Sequence, residues 1–336
     1  MSLRAIILIF AIILFPAPLW SQDKRELSLS INVSEDTPWG RAGKRFADAV
    51  RYRTGGRILI KPYFDGQLFR GQQTTEFKLL QDGLADFAIG STINWSPQVK
   101  ELNLFVLPFM FSRFSEVDAV QAGDPGKQLF RVIEQNGVVP LAWGENGFRE
   151  LTNSVRPIRR PDDLHGLKIR IVGVPLLIET FRALGTEPVS LNWDEAQSAF
   201  RDGTVDAQEN PVALIVPYRL YIAHKHITLW HYVIDPLILA VSAKTWASFS
   251  AADRAMLQEA AQAVMGEQKK EAREGLDDTS AVVHVLREVY GMDVVHLTAD
   301  DLNAFRDQTR PVYAKWAGEI GSDLVRSAEE IVASSK

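Results

Sequence analysis

Lys168–Pro211, KIRIVGVPLLIETFRALGTEPVSLNWDEAQSAFRDGTVDAQENP, is the stretch that decides the fold. Lys168–Val172 alternates, so Lys168 and Arg170 face one side and Ile169 and Ile171 the other, as on a strand. Pro175–Leu184 is helical in pattern, and Pro188–Leu191 is a second strand. Asp194–Arg201 is a second helix with its cap near Asn192, and Val205–Gln208 is a third strand. Strands alternating with helices predict a parallel sheet covered on both faces.

The same rhythm occurs upstream. Glu26–Ser34 alternates as a strand, and Trp39–Arg53 is an amphipathic helix that Thr37-Pro38 would start. Arg57–Phe64 is a strand, Thr74–Gln81 a helix and Asp86–Gly90 a short buried strand. Val138–Trp143 and the apolar Leu237–Ser242 add strands, and Ser250–Tyr290 has few breakers, so it predicts one long helix. Two successive α/β halves make a bilobal molecule with a cleft, and ligands of such sheets sit beyond the carboxyl ends of the strands. The expected division is residues 22–147 plus about 236–275 for the first lobe, and 148–235 plus about 276–330 for the second.

The 336 residues, 46% hydrophobic and 24% charged, fit a two-domain globular protein and exclude a disordered chain or fibre. The formal net charge of −5 leaves no basic excess, so nucleic acid is not an expected partner. With no cysteine there are no disulfides, thiol nucleophiles, cysteine-ligated metals or lipid-modified cysteine anchor. At the N-terminus, Arg4 precedes the apolar run Ala5–Phe15, which Pro16 and Pro18 break before Ser21. A positive start, a short apolar core and a breaker describe a secretory signal peptide over residues 1–21. The run is too short for an ordinary spanning helix, which needs about 20 apolar residues.

Catalytic templates are missing: the chain has no G-x-S-x-G, H-E-x-x-H, Walker loop or G-x-G-x-x-G. His224, His226 and His231 cluster, but Lys225 sits among them and no fixed carboxylate completes a metal site. Asp162/Asp163 and Asp194/Glu195 are adjacent pairs that do not share a helix face, so they read as helix-start charges. No enzyme activity, cofactor or metal is expected.

Binding is the better reading. Arg170 lies near the carboxyl end of its strand, where a guanidinium fork leads toward the cleft and matches a carboxylate. Arg149, in Gly147-Phe148-Arg149, and Asn210, held extended by Pro211, are natural supplements. Spacing alone leaves open that Arg170 pairs with an internal acid such as Glu209 or Asp206, and Arg149 with Glu145 or Glu150.

Several ordered motifs narrow the reading. They are Thr54-Gly55-Gly56-Arg57, Gly66-Gln67-Leu68, Gln81-Asp82-Gly83-x-x-Asp86, Leu107-Pro108-Phe109 and Gly147-x-Arg149. Pro161-x-Asp163-Leu164-x-Gly166-Leu167-Lys168-Ile169-Arg170, Ala183-Leu184-Gly185, Gly203-Thr204-Val205-Asp206 and Glu209-Asn210-Pro211 follow. From about Leu27 to Phe249 the chain resembles the solute-binding subunits of tripartite ATP-independent periplasmic (TRAP) transporters, the C4-dicarboxylate-binding family. The resemblance implies a Venus-flytrap fold with crossover strands and a long bent helix bracing both lobes. It implies a monomer that delivers a small organic acid to a sodium-coupled membrane permease, with Arg170 on the ligand carboxylate and Arg149 and Asn210 assisting. Ser91 and Thr92 occupy the stretch where relatives present contacts from the first lobe. Glu145, Trp95 and Trp193 are candidate pocket walls, and Arg70, a departure from the family pattern, is either a second cleft cation or a surface residue. A sensory module for a membrane receptor and a periplasmic enzyme are the rival functions. The ligand stays open among a dicarboxylate, a sugar acid and an aromatic or keto acid.

Overall fold

The computed structural model describes residues 25–276 and 281–335; the expected signal segment lies outside them. The strands are β1 Arg25–Ile31, β2 Ile58–Tyr63, β3 Phe87–Ser91, β4 Val138–Asn153, β5 Lys168–Ile171, β6 Glu187–Ser190, β7 Ala207–Pro211, β8 His226–Leu229, β9 Ile234–Ser242 and β10 Asp293–His296. They form one continuous sheet in the order β2-β1-β3-β9-β4-β7-β5-β6, with β8 paired to β4 and β10 to β8. β1 runs parallel to β2 and β3, and β5 runs parallel to β6 and β7, so each half has the parallel core its alternating pattern predicts.

β4 joins the halves. It pairs antiparallel with β9 over Val138–Phe148, then with β7 and β8 over Arg149–Asn153. At about 3.3 Å per residue its span is roughly 50 Å, long enough to serve both sheets. The sequence pattern predicted only Val138–Trp143, because Glu145, Asn146, Arg149 and Glu150 do not read as a strand. The strand continues through them because each polar side chain finds a buried partner. The segment holding β8 and β9 crosses back alongside β4. The molecule is thus a two-lobed α/β fold with crossover strands.

The expected helix over Ser250–Tyr290 is divided. Ser250 caps Ala251–Arg273, its Oγ accepting from the Asp253 N–H at 3.1 Å. Gly275, at φ +71°, turns the chain in a conformation that side-chain-bearing residues rarely adopt, and a second helix covers Ala281–Glu288. The first helix packs on β4 and on the helix Pro38–Arg53, while Val283 and Leu286 of the second join the core under Trp193 and Phe200. Together the two segments form a bent brace over both lobes. The sequence reading also left out the C-terminal helices Ala299–Ile320 and Ser322–Ser334. The first packs on the helix Pro175–Ala183, and the second on the helices Phe114–Ala122 and Asp124–Gln135.

Candidate functional site

A small cavity of about 20 Å³ lies where the halves meet, lined in part by Gln73, Ser91, Asn146, Arg149, Arg170, Trp193, Asn210 and Asp235. That is room for about one water, so an acid enters it only when the lobes part. Its residues come from the ends of β3, β5 and β7, from the middle of β4 and from the start of β9, which matches the strand-end rule.

Arg170 is only 1% exposed. One edge of its guanidinium, Nε and Nη2, donates to the Leu191 carbonyl at 3.0 and 2.8 Å, which fixes the group's plane. The other edge has one contact, Nη2 to the Gln73 Oε1 at a long 3.4 Å. The guanidinium carbon lies 5.4 Å from the centre of the Trp193 ring, a cation–π arrangement. Neither Glu209 nor Asp206 pairs with it, and among the described residues no carboxylate lies within ion-pair distance of it, which resolves the alternative left open by spacing. Burial pushes its pKa down to about 10; Glu209 offsets this in part and the Arg149 charge adds to it. This cation is desolvated, fixed in orientation and without a counter-ion.

Arg149 is the opposite case. Its Nε and Nη2 grip the Glu209 carboxylate, Nη2 at 2.8 Å, and Nη2 also donates to the Glu209 carbonyl at 2.7 Å. Nη1 lies 3.4 Å from Asp235 Oδ2. Its partners are therefore Glu209 and Asp235, not Glu145 or Glu150. Burial disfavours its charge, but the Glu209 carboxylate outweighs that and the pKa moves up. The Tyr232 hydroxyl donates to the same carboxylate at 2.7 Å. Arg149 lines the cavity with its fork already engaged.

A β-bulge lets β4 serve the site. On a regular strand Asn146 and Arg149 would face opposite sides. The register with β9 shifts between Glu145 and Gly147, and Gly147 sits at φ +126°, so both side chains line the cavity. Asn146 Nδ2 donates to Asp235 Oδ2 at 2.8 Å, and the Ser91 hydroxyl donates to Asp235 Oδ1 at 2.6 Å. Asn210 lines the cavity with its Nδ2 donating to Gln208 Oε1 at 2.6 Å. Trp193 lines it too, its ring packed edge-on against Phe200 and Tyr218, and its backbone N–H donates to Gln73 Oε1 at 2.9 Å.

Four candidates lie elsewhere. Glu145 is fully buried on the other side of the bulge, where Arg273 pairs with it at 2.9 and 2.5 Å and Gln268 bonds both its backbone groups; it fastens the brace helix to β4. Thr92 is buried in the turn after β3, with a weak 3.5 Å contact to Asp235, and does not line the cavity. Arg70 is exposed, in a left-handed turn at φ +51°, so of the two readings the surface one holds. Trp95 is fully buried behind the site, edge-on to Phe77, and its indole N–H donates to Glu76 at 3.1 Å. The histidines part ways: His224 bonds Thr152, His226 meets Asp293 and His231 pairs with Glu150.

Glu76 carries a prediction. Its wholly buried carboxylate accepts from Ser30 Oγ at 2.7 Å and from Trp95, neither of them a cation, and burial pushes its pKa up from 4.5 to about 7. The folded state thus holds a proton that the unfolded chain releases. The contribution is complete below about pH 4.5 and is lost as pH rises toward 7, on the order of 3 kcal/mol in all. Urea titrations of wild type and Glu76→Gln between these limits should show a downward slope that the variant flattens. Parallel curves would contradict this.

Gln73, Asn146 and Asp235 were not anticipated. The signals existed but were indirect: Gln73 follows the Gly66-Gln67-Leu68 turn, Asn146 precedes a glycine inside a strand, and Asp235 is a lone acid at the head of an apolar one.

The family model for bacterial extracellular solute-binding protein, family 7, matches residues 29–319. The 2,3-diketo-L-gulonate-binding periplasmic protein YiaO of Escherichia coli is 28% identical over 294 residues, 86% of this chain and 87% of that protein. A TRAP periplasmic solute-binding protein of Ralstonia eutropha, solved with (S)-2-acetolactate, is 47% identical with a TM-score of 0.90, covering 92% of this chain and 99% of that one. The sugar acid binding protein of Advenella mimigardefordensis, solved with galactonate, is 26% identical with a TM-score of 0.87 over 94% and 99% of the two chains. The lobes, the crossover strands and the match over most of the length together place this chain in solute-binding protein family 7, the binding proteins of TRAP transporters.

Proposed function

We propose that this protein is exported to the periplasm by the segment 1–21, captures one small organic acid between its lobes and hands it unchanged to a sodium-coupled membrane permease. The observation that carries the reading is the buried Arg170 guanidinium, aligned by Leu191 and lacking an internal acid. A ligand carboxylate on its open edge supplies the missing counter-charge, and lobe closure strengthens the pair by excluding water. The lobes are residues 25–147 with about 236–275 and the helix Ser322–Ser334, and 148–235 with about 281–320, hinged where β4 and the β8–β9 segment cross; the packing of the last helix on the helices Phe114–Ala122 and Asp124–Gln135 moves it from the second lobe, where the sequence pattern put it, to the first. The bound acetolactate and galactonate of the similar structures are both hydroxylated acids, which supports a ligand of that kind. A binder needs no acid, base or nucleophile beside Arg170, and the protein acts as a monomer without catalysis.

A thermal-shift screen of organic acids tests this. A true ligand at 100 times its Kd should stabilise the protein by about 2.7 kcal/mol, and NMR should recover the acid chemically intact. If no acid shifts the transition, or if the acid returns altered, the reading fails.

A further inference from the structure

We propose that Asp235 is a charge filter that limits the ligand to acids with one carboxylate and a neutral far end. This rests on Arg170 as the carboxylate anchor and names the class of acid that the site accepts.

Among the described residues the cavity walls contain two cations, Arg149 and Arg170, and only one has an open fork. Arg149 is closed by Glu209 and faces Asp235 with its remaining nitrogen. Arg170 therefore anchors one carboxylate. Asp235 and Arg170 sit on strands separated by β4 and β7, three strand spacings or about 14 Å between backbones, so their side chains approach the cavity from opposite sides. A ligand held by Arg170 extends its other end toward Asp235.

Among the described residues, that end meets an acid and no available cation. Ser91, Asn146 and Arg149 all direct their donors at the Asp235 oxygens. A second ligand carboxylate would compete with Asp235 for those donors while lying beside its charge. Arg149 is held by both Glu209 and Asp235, so Arg170 is the one cation of the walls without a direct partner. A first ligand carboxylate pairs with it, and a second would be buried with no cation to pair with, water excluded. A hydroxyl or carbonyl at that end meets no such repulsion. Two nearby arginines suggest a dicarboxylate when only the sequence is read; the Arg149–Glu209 pair removes one of them.

The test uses a matched pair that differs only at the far end, 2-hydroxy-2-methylbutanoate and 2-hydroxy-2-methylbutanedioate, measured by calorimetry on the full mature chain. A thermal-shift panel of other mono- and dicarboxylates runs beside it. Wild type should prefer the monoacid roughly 100-fold or more, as like charges brought together in a buried site require. Asp235→Asn, nearly equal in shape, should narrow the preference to below roughly tenfold by gaining the diacid. If wild type binds the diacid as well as the monoacid, or if dicarboxylates head the panel, the filter is refuted while Arg170 keeps its role. If no carboxylate of either kind binds, the anchor itself falls, and the filter with it. If Asp235→Asn does not fold, Asp235→Ser carries the same comparison, and a wild type without the preference refutes the filter in either case.

Discussion

Arg170→Ala abolishes ligand binding while the far-ultraviolet spectrum and cooperative unfolding remain those of the wild type. The expected loss is about 3–5 kcal/mol, more than about 100-fold in Kd, since the variant leaves the ligand carboxylate buried without a partner. Arg170→Lys should fail nearly as badly. An ammonium reaches one oxygen but cannot bond the Leu191 carbonyl along one edge and the ligand along the other. Calorimetry on both variants with an acid found by thermal shift gives the answer, and affinity within about tenfold of wild type in the alanine variant would remove Arg170 from the site.

The second large effect concerns stability. Glu209→Ala leaves Arg149 buried with the residue-209 carbonyl at 2.7 Å and only the 3.4 Å contact to an acid, Asp235, and it removes the acceptor of the Tyr232 hydroxyl. Deleting one partner of a buried pair costs about 3–5 kcal/mol, because the remaining charge is desolvated and uncompensated. Urea denaturation should show that loss at pH 7. A loss below about 1 kcal/mol would mean that water or Asp235 satisfies Arg149, and the pair would then not lock the fork. The same experiment bears on selectivity, because a released Arg149 offers the second cation that the cavity otherwise lacks.

Much of the architecture was legible in the chain because periodicity reports burial directly. Lys168–Ile171, Pro175–Ala183 and Trp193–Arg201 formed almost where their patterns predict, with the helix cap at Asn192. The errors came where tertiary partners override local pattern. β4 continues through a polar stretch because Arg273, Asp235 and Glu209 satisfy its side chains from distant segments and Gln268 bonds its backbone at Glu145. The helix expected to run unbroken to Tyr290 stops before Gly275, and helix-forming composition alone does not reveal the φ +71° there. At the site, residue type identified Arg170, Arg149 and Asn210 but not which guanidinium was open. That depends on Glu209, one residue before Asn210, reaching across from β7 to the neighbouring β4. Glu145 was misplaced for a related reason: the bulge at Gly147 sends it away from the cavity and brings Asn146 in.

The central claim is that Arg170 holds the ligand's carboxylate with the edge of its guanidinium that Leu191 leaves open. A crystal structure with a bound organic acid tests it most directly. Both carboxylate oxygens should lie about 2.7–2.9 Å from Nη1 and Nη2 of Arg170, with the rest of the molecule directed toward Asn146 and Asp235. A ligand whose carboxylate rests on another cation, or that binds outside this cavity while Arg170 still contacts only Leu191 and Gln73, would contradict the account.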